Sequence, residues 1–110
     1  MTIKRVYVSG PYTLGDPCIN TNTAIAAGNA ILDAGHAPFV PHLSHFWHTV
    51  TPRSYTDWML IDLAFVPQCD VLLRLPGVSS GADIEVECAN EHKVPVVYSM
   101  QELLELLAVL

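Results

Sequence analysis

The sequence predicts an open α/β sandwich: a parallel β-sheet with helices on both faces. Three observations carry the prediction. Short runs rich in β-formers alternate with segments of helical period along the whole chain. Val71-Leu72-Leu73 is continuously apolar, as expected of a strand covered on both faces. Parallel neighbours need a crossover, usually a helix and right-handed, so alternation in sequence becomes layers in space.

Taken in order, Arg5-Val6-Tyr7-Val8-Ser9 is a strand that Gly10-Pro11 closes. Residues 20–34 read as a helix: Asn20, Thr21 or Asn22 caps it, Ala27, Ala30, Ile31 and Ala34 form its apolar stripe, and Gly35 stops it. Residues 36–40 make a second, shorter strand, and residues 41–52 a loop or irregular helical segment. Ser54 or Thr56 opens a second helix carrying Trp58, Ile61 and Phe65, which Pro67 ends. Beyond the strand at Val71 follow a turn over 77–80, a third helix over 81–92, a last strand over 94–98 and a Leu-rich terminal helix over 101–110. The sum is a small flavodoxin- or Rossmann-like open parallel sheet of four to five strands, in one domain spanning residues 1–110. Ligands of such sheets bind beyond the carboxyl ends of the strands, so chemistry is expected within residues 9–12, 41–47 and 75–85.

The chain is 51% apolar and 15% charged, where an average soluble domain has roughly 25% charged residues. That excludes disorder and predicts that part of the surface is buried against another chain, in a homodimer or higher homo-oligomer. With a net charge of −6 and no close basic residues except Lys4 and Arg5, polymeric nucleic acid is not expected as a partner. No apolar run reaches the ~20 residues of a membrane span. The start carries no secretory cleavage pattern, and three cysteines without a C-x-x-C pair fit a reducing cytoplasm.

The third helix carries Asp83, Glu85 and Glu87. At ~100° per residue, Glu85 falls beside Gly81, Cys88 and Ala89, whereas Asp83 and Glu87 fall on the far side. Glu85 is therefore read as facing the packed side, near a Ser-Ser-Gly helix entry whose N–H groups are free; the alternative is a first-turn acid favoured by the helix dipole. Asp62 has no Lys, Arg or His within four residues. Either it faces solvent between apolar neighbours or it lines a pocket. Two carboxylates reaching one cleft suit glycosidic-bond chemistry, one acting at the anomeric carbon and one on the proton of the leaving group.

His42, His45 and His48 recur every three residues, which does not keep metal ligands aligned over two helical turns. No metal site is read there, and Phe46 and Trp47 suggest an aromatic pocket wall. Neither G-x-G-x-x-G nor a P-loop is present. Cys18, Cys69 and Cys88 read as core or edge positions.

Three of these segments together resemble a known family. Val6-Tyr7-Val8-Ser9-Gly10-Pro11, Asp62 placed eight residues before Asp70 in Cys69-Asp70-Val71-Leu72, and Ser79-x-Gly81-x3-Glu85-x3-Ala89 are similar to the nucleoside 2-deoxyribosyltransferase superfamily over nearly the whole chain. The similarity extends to the 2′-deoxynucleoside 5′-phosphate N-hydrolases and cytidine monophosphate hydrolases. Pro38-Phe39-Val40-Pro41-His42 and His45-Phe46-Trp47 look like a short bacterial and phage branch.

The resemblance implies cleavage of the N-glycosidic bond of a nucleoside or nucleoside 5′-monophosphate, with no metal or organic cofactor. It implies Glu85 as a nucleophile forming a glycosyl-enzyme ester, relieved by water or by another base. Asp62 would protonate the departing base, and Tyr7 would hydrogen-bond and orient the nucleophile. Ser9 and Gly10 would shape the sugar site, with Pro11, His42 and Trp47 also against the substrate, and Ser79 to Gly81 would hold its 5′ end. Serine at position 79, where plain deoxyribosyltransferases carry an acid, favours a 5′-phosphate. The first loop lacks the arginine of the phosphate hydrolases, and Asp16 there would repel a phosphate if turned inward. Arg74 either supplies the missing charge or is a surface arginine. Family members complete each site from a neighbouring subunit, for which Ser99 is the candidate here. Base, sugar and acceptor stay open, as do two other readings: a non-catalytic nucleotide-binding or sensing module, and an NAD- or cytokinin-nucleotide-type glycohydrolase.

Overall fold

The computed structural model describes residues 2–110; Met1, the first residue of the domain expected over 1–110, lies outside the described residues. Four parallel strands form one sheet in the order β2-β1-β3-β4: β1 (Arg5–Ser9), β2 (Ala37–Phe39), β3 (Val71–Arg74) and β4 (Val96–Val97). Helices α1 (Pro17–Asp33), α2 (Ser44–Val50), α3 (Tyr55–Phe65), α4 (Ser80–Glu91) and α5 (Met100–Leu107) complete the chain. This is the open parallel α/β sandwich that the alternation predicts, with four strands. No described helix is long and apolar enough to cross a membrane.

Side chains alternate across each strand, and the two faces of β1 do different work. Val6 and Val8 join Val71, Leu73 and Val97 in a core closed by Ala24, Ala27 and Ile31 of α1 and by Leu103 and Leu107 of α5. Tyr7 points the other way, packing with Leu72, Val66, Val94 and Ala89 of α4. Ser9, two residues on, shares the face of Tyr7. The chain leaves β1 toward β2 on one side and returns to β3 on the other. The loops after β1 and β3 therefore part at that switch point and leave a crevice.

Several boundaries differ from the sequence reading, each for a local reason. Helix α1 starts at Pro17, because Asp16, rather than Asn20, Thr21 or Asn22, is its cap: the carboxylate accepts from Cys18 N at 2.8 Å and Ile19 N at 3.2 Å. Asn20 instead donates to the Tyr12 and Leu14 carbonyls. Of the expected stripe, Ala27 and Ile31 are buried, but Ala30 and Ala34 are half-exposed and Thr21 and Ala24 take their place. The stretch after β2 is a one-turn 3-10 segment, Pro41–Leu43, leading into α2, and β2 itself is only three residues. Strand β4 is shorter than expected because Val94 N still bonds back to Ala89 O and Pro95 has no N–H to give. Ser99 caps α5, accepting from Glu102 N, so that helix starts at Met100; Leu103 and Leu107 go into the core while Leu104 and Leu110 stay outside.

Candidate active site

The crevice is a cleft of about 540 Å³ walled by the β1–α1 loop, α2, α3 and the start of α4. Its floor comes from α4, with β1 beneath it. Glu85, one turn and a half into α4, is only 5% exposed, whereas Asp83 and Glu87 are exposed, in agreement with the helical wheel. Ser9 Oγ donates to Glu85 Oε1 at 2.7 Å, and both residues are buried. Tyr7 lies beneath them, fully buried, and its hydroxyl has no hydrogen-bond partner among the described residues. Burial and the neighbouring Glu85 and Asp62 keep that phenol protonated.

Across the floor, Asp62 of α3 lines the cleft beside Glu85. Burial pushes the Asp62 carboxyl up to about 6. Burial likewise pushes Glu85 up, to about 8; the Ser9 hydroxyl pulls it down and the Asp62 charge pushes it further up. The two titrate as a pair.

The other walls follow from local geometry. Gly10 lets the first loop pass over β3, since a Cβ there would stand 2.9 Å from Leu75 Cβ. Gly81 lets α3 approach α4: a Cβ would stand 3.3 Å from the Tyr55 hydroxyl and 3.8 Å from Met59 Sδ. Ser79 is the N-cap of α4, its hydroxyl accepting from Ala82 N at 3.1 Å. His42 is buried; its Nε2 donates to the Pro11 carbonyl at 2.9 Å, which leaves Nδ1 unprotonated, buried and without a partner among the described residues. Burial lowers its pKa and keeps the ring neutral. His48 Nδ1 accepts from both Trp58 Nε1 and Arg53 N, so its proton is on Nε2. His45 turns to Tyr12 Oη at 2.5 Å and to Cys18 Sγ at 3.7 Å. The three histidines thus serve different partners, and among the described residues no three metal-ligating side chains gather at one point.

Of the residues singled out in the sequence, Glu85, Asp62, Gly10, His42, Ser79 and Gly81 line the cleft. Ser9 and Tyr7 lie under its floor, and Pro11 contributes through its carbonyl. Trp47 does not belong to it. The indole is 53% exposed and packs edge-on against Trp58, ring centroids 5.1 Å apart, in an outer groove, and Phe46 points to solvent. The expected aromatic wall at 46–47 is replaced by Trp58 and Tyr55 of α3. Position 48 of the short helix α2 faces the cleft, which turns 47 outward.

Asp16, spent on capping α1, is not turned into the cleft. Arg74 is neither a surface residue nor a free cation: its side chain is largely buried, bound to the Leu75 and Gly77 carbonyls and, at 3.2 Å, to Asp83. Asp70 sits at the opposite end of the sheet, accepting from Arg5 N at 2.7 Å. The sequence reading missed Tyr12, His48, Arg53, Tyr55, Trp58 and Met59, all on the cleft wall. A signal for three of them was present: once Asp62 faces the cleft, helical spacing turns 55, 58 and 59 with it.

Residues 4–98 match a family described as a domain of unknown function, DUF4406. No curated protein matches the chain. Among solved structures, the chain is similar to a 2-deoxyribosyltransferase from the psychrotolerant bacterium Bacillus psychrosaccharolyticus, described as a biocatalyst for the synthesis of antiviral and antitumoral nucleosides. The TM-score is 0.61 at 18% identity, over 84% of this chain and 69% of that one. At that identity the likeness is one of fold. The fold is the one that this 2-deoxyribosyltransferase has, as the motif resemblance implied.

Proposed function

This chain belongs to the DUF4406 family, and on that premise we propose that it is an enzyme cleaving the N-glycosidic bond of a nucleoside or nucleoside 5′-monophosphate. The observation that carries the proposal is the carboxyl pair: Glu85, buried and held by Ser9 at 2.7 Å, beside Asp62 on the facing helix. A cleft of about 540 Å³ lies within the roughly 300–1,000 Å³ usual for small-molecule sites.

In the proposed reaction Glu85, ionised, attacks the anomeric carbon as the bond from that carbon to the base nitrogen breaks. Asp62 gives its proton to the departing base. The resulting glycosyl ester on Glu85 is opened by water, or by the nitrogen of a second base, whose proton returns to Asp62. Tyr7 lies under the pair, its hydroxyl free to donate to Glu85. The 5′ end is assigned to the start of α4, where the Ser79 hydroxyl and free helix N–H groups face the cleft and Arg53 is the cation on its wall. His42 and the rings of Tyr55 and Trp58 would enclose the rest.

The same proposal includes a homo-oligomer. Phe46 is 75% and Leu60 68% exposed, and Val50, one turn on from Phe46, is also exposed. A second copy of the chain covering this face of α2 and α3 accounts for an apolar surface on a chain so poor in charge.

The test is a chromatographic screen of purified protein against ribo- and deoxyribonucleosides and their 5′-monophosphates, with and without an acceptor base, beside Glu85→Gln. Free base released by the wild type, with turnover at least about 10³-fold lower in Glu85→Gln while a ligand still raises Tm, supports the reading. A new nucleoside formed only with acceptor makes it a transferase. Equal turnover by Glu85→Gln removes the nucleophile, and binding without turnover replaces the enzyme with a nucleotide-binding module.

A further inference from the structure

Two neighbouring carboxyls ionise unequally when their surroundings differ, and the surroundings of this pair are not symmetric. Glu85 Oε1 receives a hydroxyl hydrogen bond from Ser9, whose own exposure is nil. No described N–H or hydroxyl donates to Asp62. A donor bound to a carboxylate is roughly twice as strong as one bound to a neutral acceptor, so the charge is favoured where the donor is. Burial works the other way, because Glu85 is the deeper of the two.

We propose that Ser9 is a positioning residue, not a substrate contact: its hydroxyl favours the ionised form of Glu85 against the pull of burial. This rests on the reading of Glu85 as nucleophile and Asp62 as proton donor, and it names the group that makes the two carboxyls unlike. The rotamer of Glu85 is set by the same bond. Because β1 alternates, Ser9 stands on the face of Tyr7, directly under α4, and reaches nothing else: no other partner for its hydroxyl exists among the described residues. Asp62 is half-buried on the cleft wall, and a ligand against it buries it further. That raises its hold on the proton, while the Ser9 hydroxyl favours the ionised form of Glu85.

The groups that face the pair are Tyr7 from β1, Cys88 one turn along α4, and His42, His48 and Arg53 from the cleft wall. His42 is neutral and tied to Pro11, and Arg53 is paired with Asp57. Ser9 is therefore the only described hydroxyl hydrogen-bonded to either carboxyl, and its removal acts directly on Glu85 and on Asp62 only through Glu85.

The test is Ser9→Ala, with Ser9→Cys as a variant of similar volume and weaker donor strength. Loss of the donor is expected to cost about tenfold in kcat/KM at pH 6, equivalent to about one pKa unit on Glu85. The ratio of wild type to Ser9→Ala should narrow to less than about threefold by pH 9.5, where both carboxyls are ionised in either protein. Ser9→Cys should lie between. A loss independent of pH, or no loss, overturns the proposal while leaving the enzymatic reading intact. Titration of carboxyl-labelled glutamate by nuclear magnetic resonance decides the point without turnover. The Glu85 signal should titrate about one unit higher in Ser9→Ala, and an unmoved titration overturns the role of Ser9. Should the wild type turn over no nucleoside, the functional reading falls and this titration alone judges Ser9.

Discussion

Helix α4 buries a carboxylate, whereas helix α3, the more apolar of the two, has no fully buried residue. They face each other across one cleft. In α4 the small residues Ala82 and Ala89 let the helix sit close on the sheet, and Glu85 goes down with them to meet Ser9. In α3 the cleft-facing edge carries Tyr55, Met59 and Asp62, and the opposite edge leaves Leu60 uncovered. Burial of polarity on one side and exposure of apolar surface on the other run against the usual partition. The contrast separates what the fold uses inside one chain from what it offers outside it.

The contrast can be broken most sharply from the α3 side. Leu60→Glu combined with Phe46→Glu should turn an associated wild type into a monomer in sedimentation velocity. A wild type that already sediments as a monomer would sink the proposed second copy. On the cleft-facing edge of α3, Asp62→Asn should slow nucleosides with poor leaving groups by about 100-fold and activated ones by less than about tenfold. Equal slowing of both would remove Asp62 as the proton donor. The smallest effect concerns stability.

Glu85 is raised in the folded protein from the ordinary carboxylate range to about 8. The native state therefore binds more protons than the unfolded one in that window, and stability falls as pH rises through it. Glu85→Gln, which cannot ionise, should melt higher than the wild type at pH 8 by about 5 °C, and the gap should close toward pH 5. A constant gap across that range would show that burial of the charge is not what separates them.

Much of this architecture was legible in the residues. Strand β1 and the apolar run at β3 needed no tertiary information, since alternation and burial on both faces leave direct marks in composition. The orientation of Glu85 followed from its small neighbours and the helical period. Asp16-Pro17 carried the signal for the start of α1, an acidic cap before a proline at the first helical position, but the asparagines downstream offered equally good caps. Trp47 could not be placed, because a helix of seven residues has too short a period to say which side faces in.

By itself, then, the sequence determined the layer order, the strands, and which carboxylate of α4 points inward, because these depend on periodicity along the chain. Only the tertiary structure decided that Ser9 bonds Glu85 and that Arg74 is consumed by carbonyls and Asp83. Each of these is a competition among partners for one polar group. The winner depends on distances between segments as many as 76 residues apart, which no local pattern encodes.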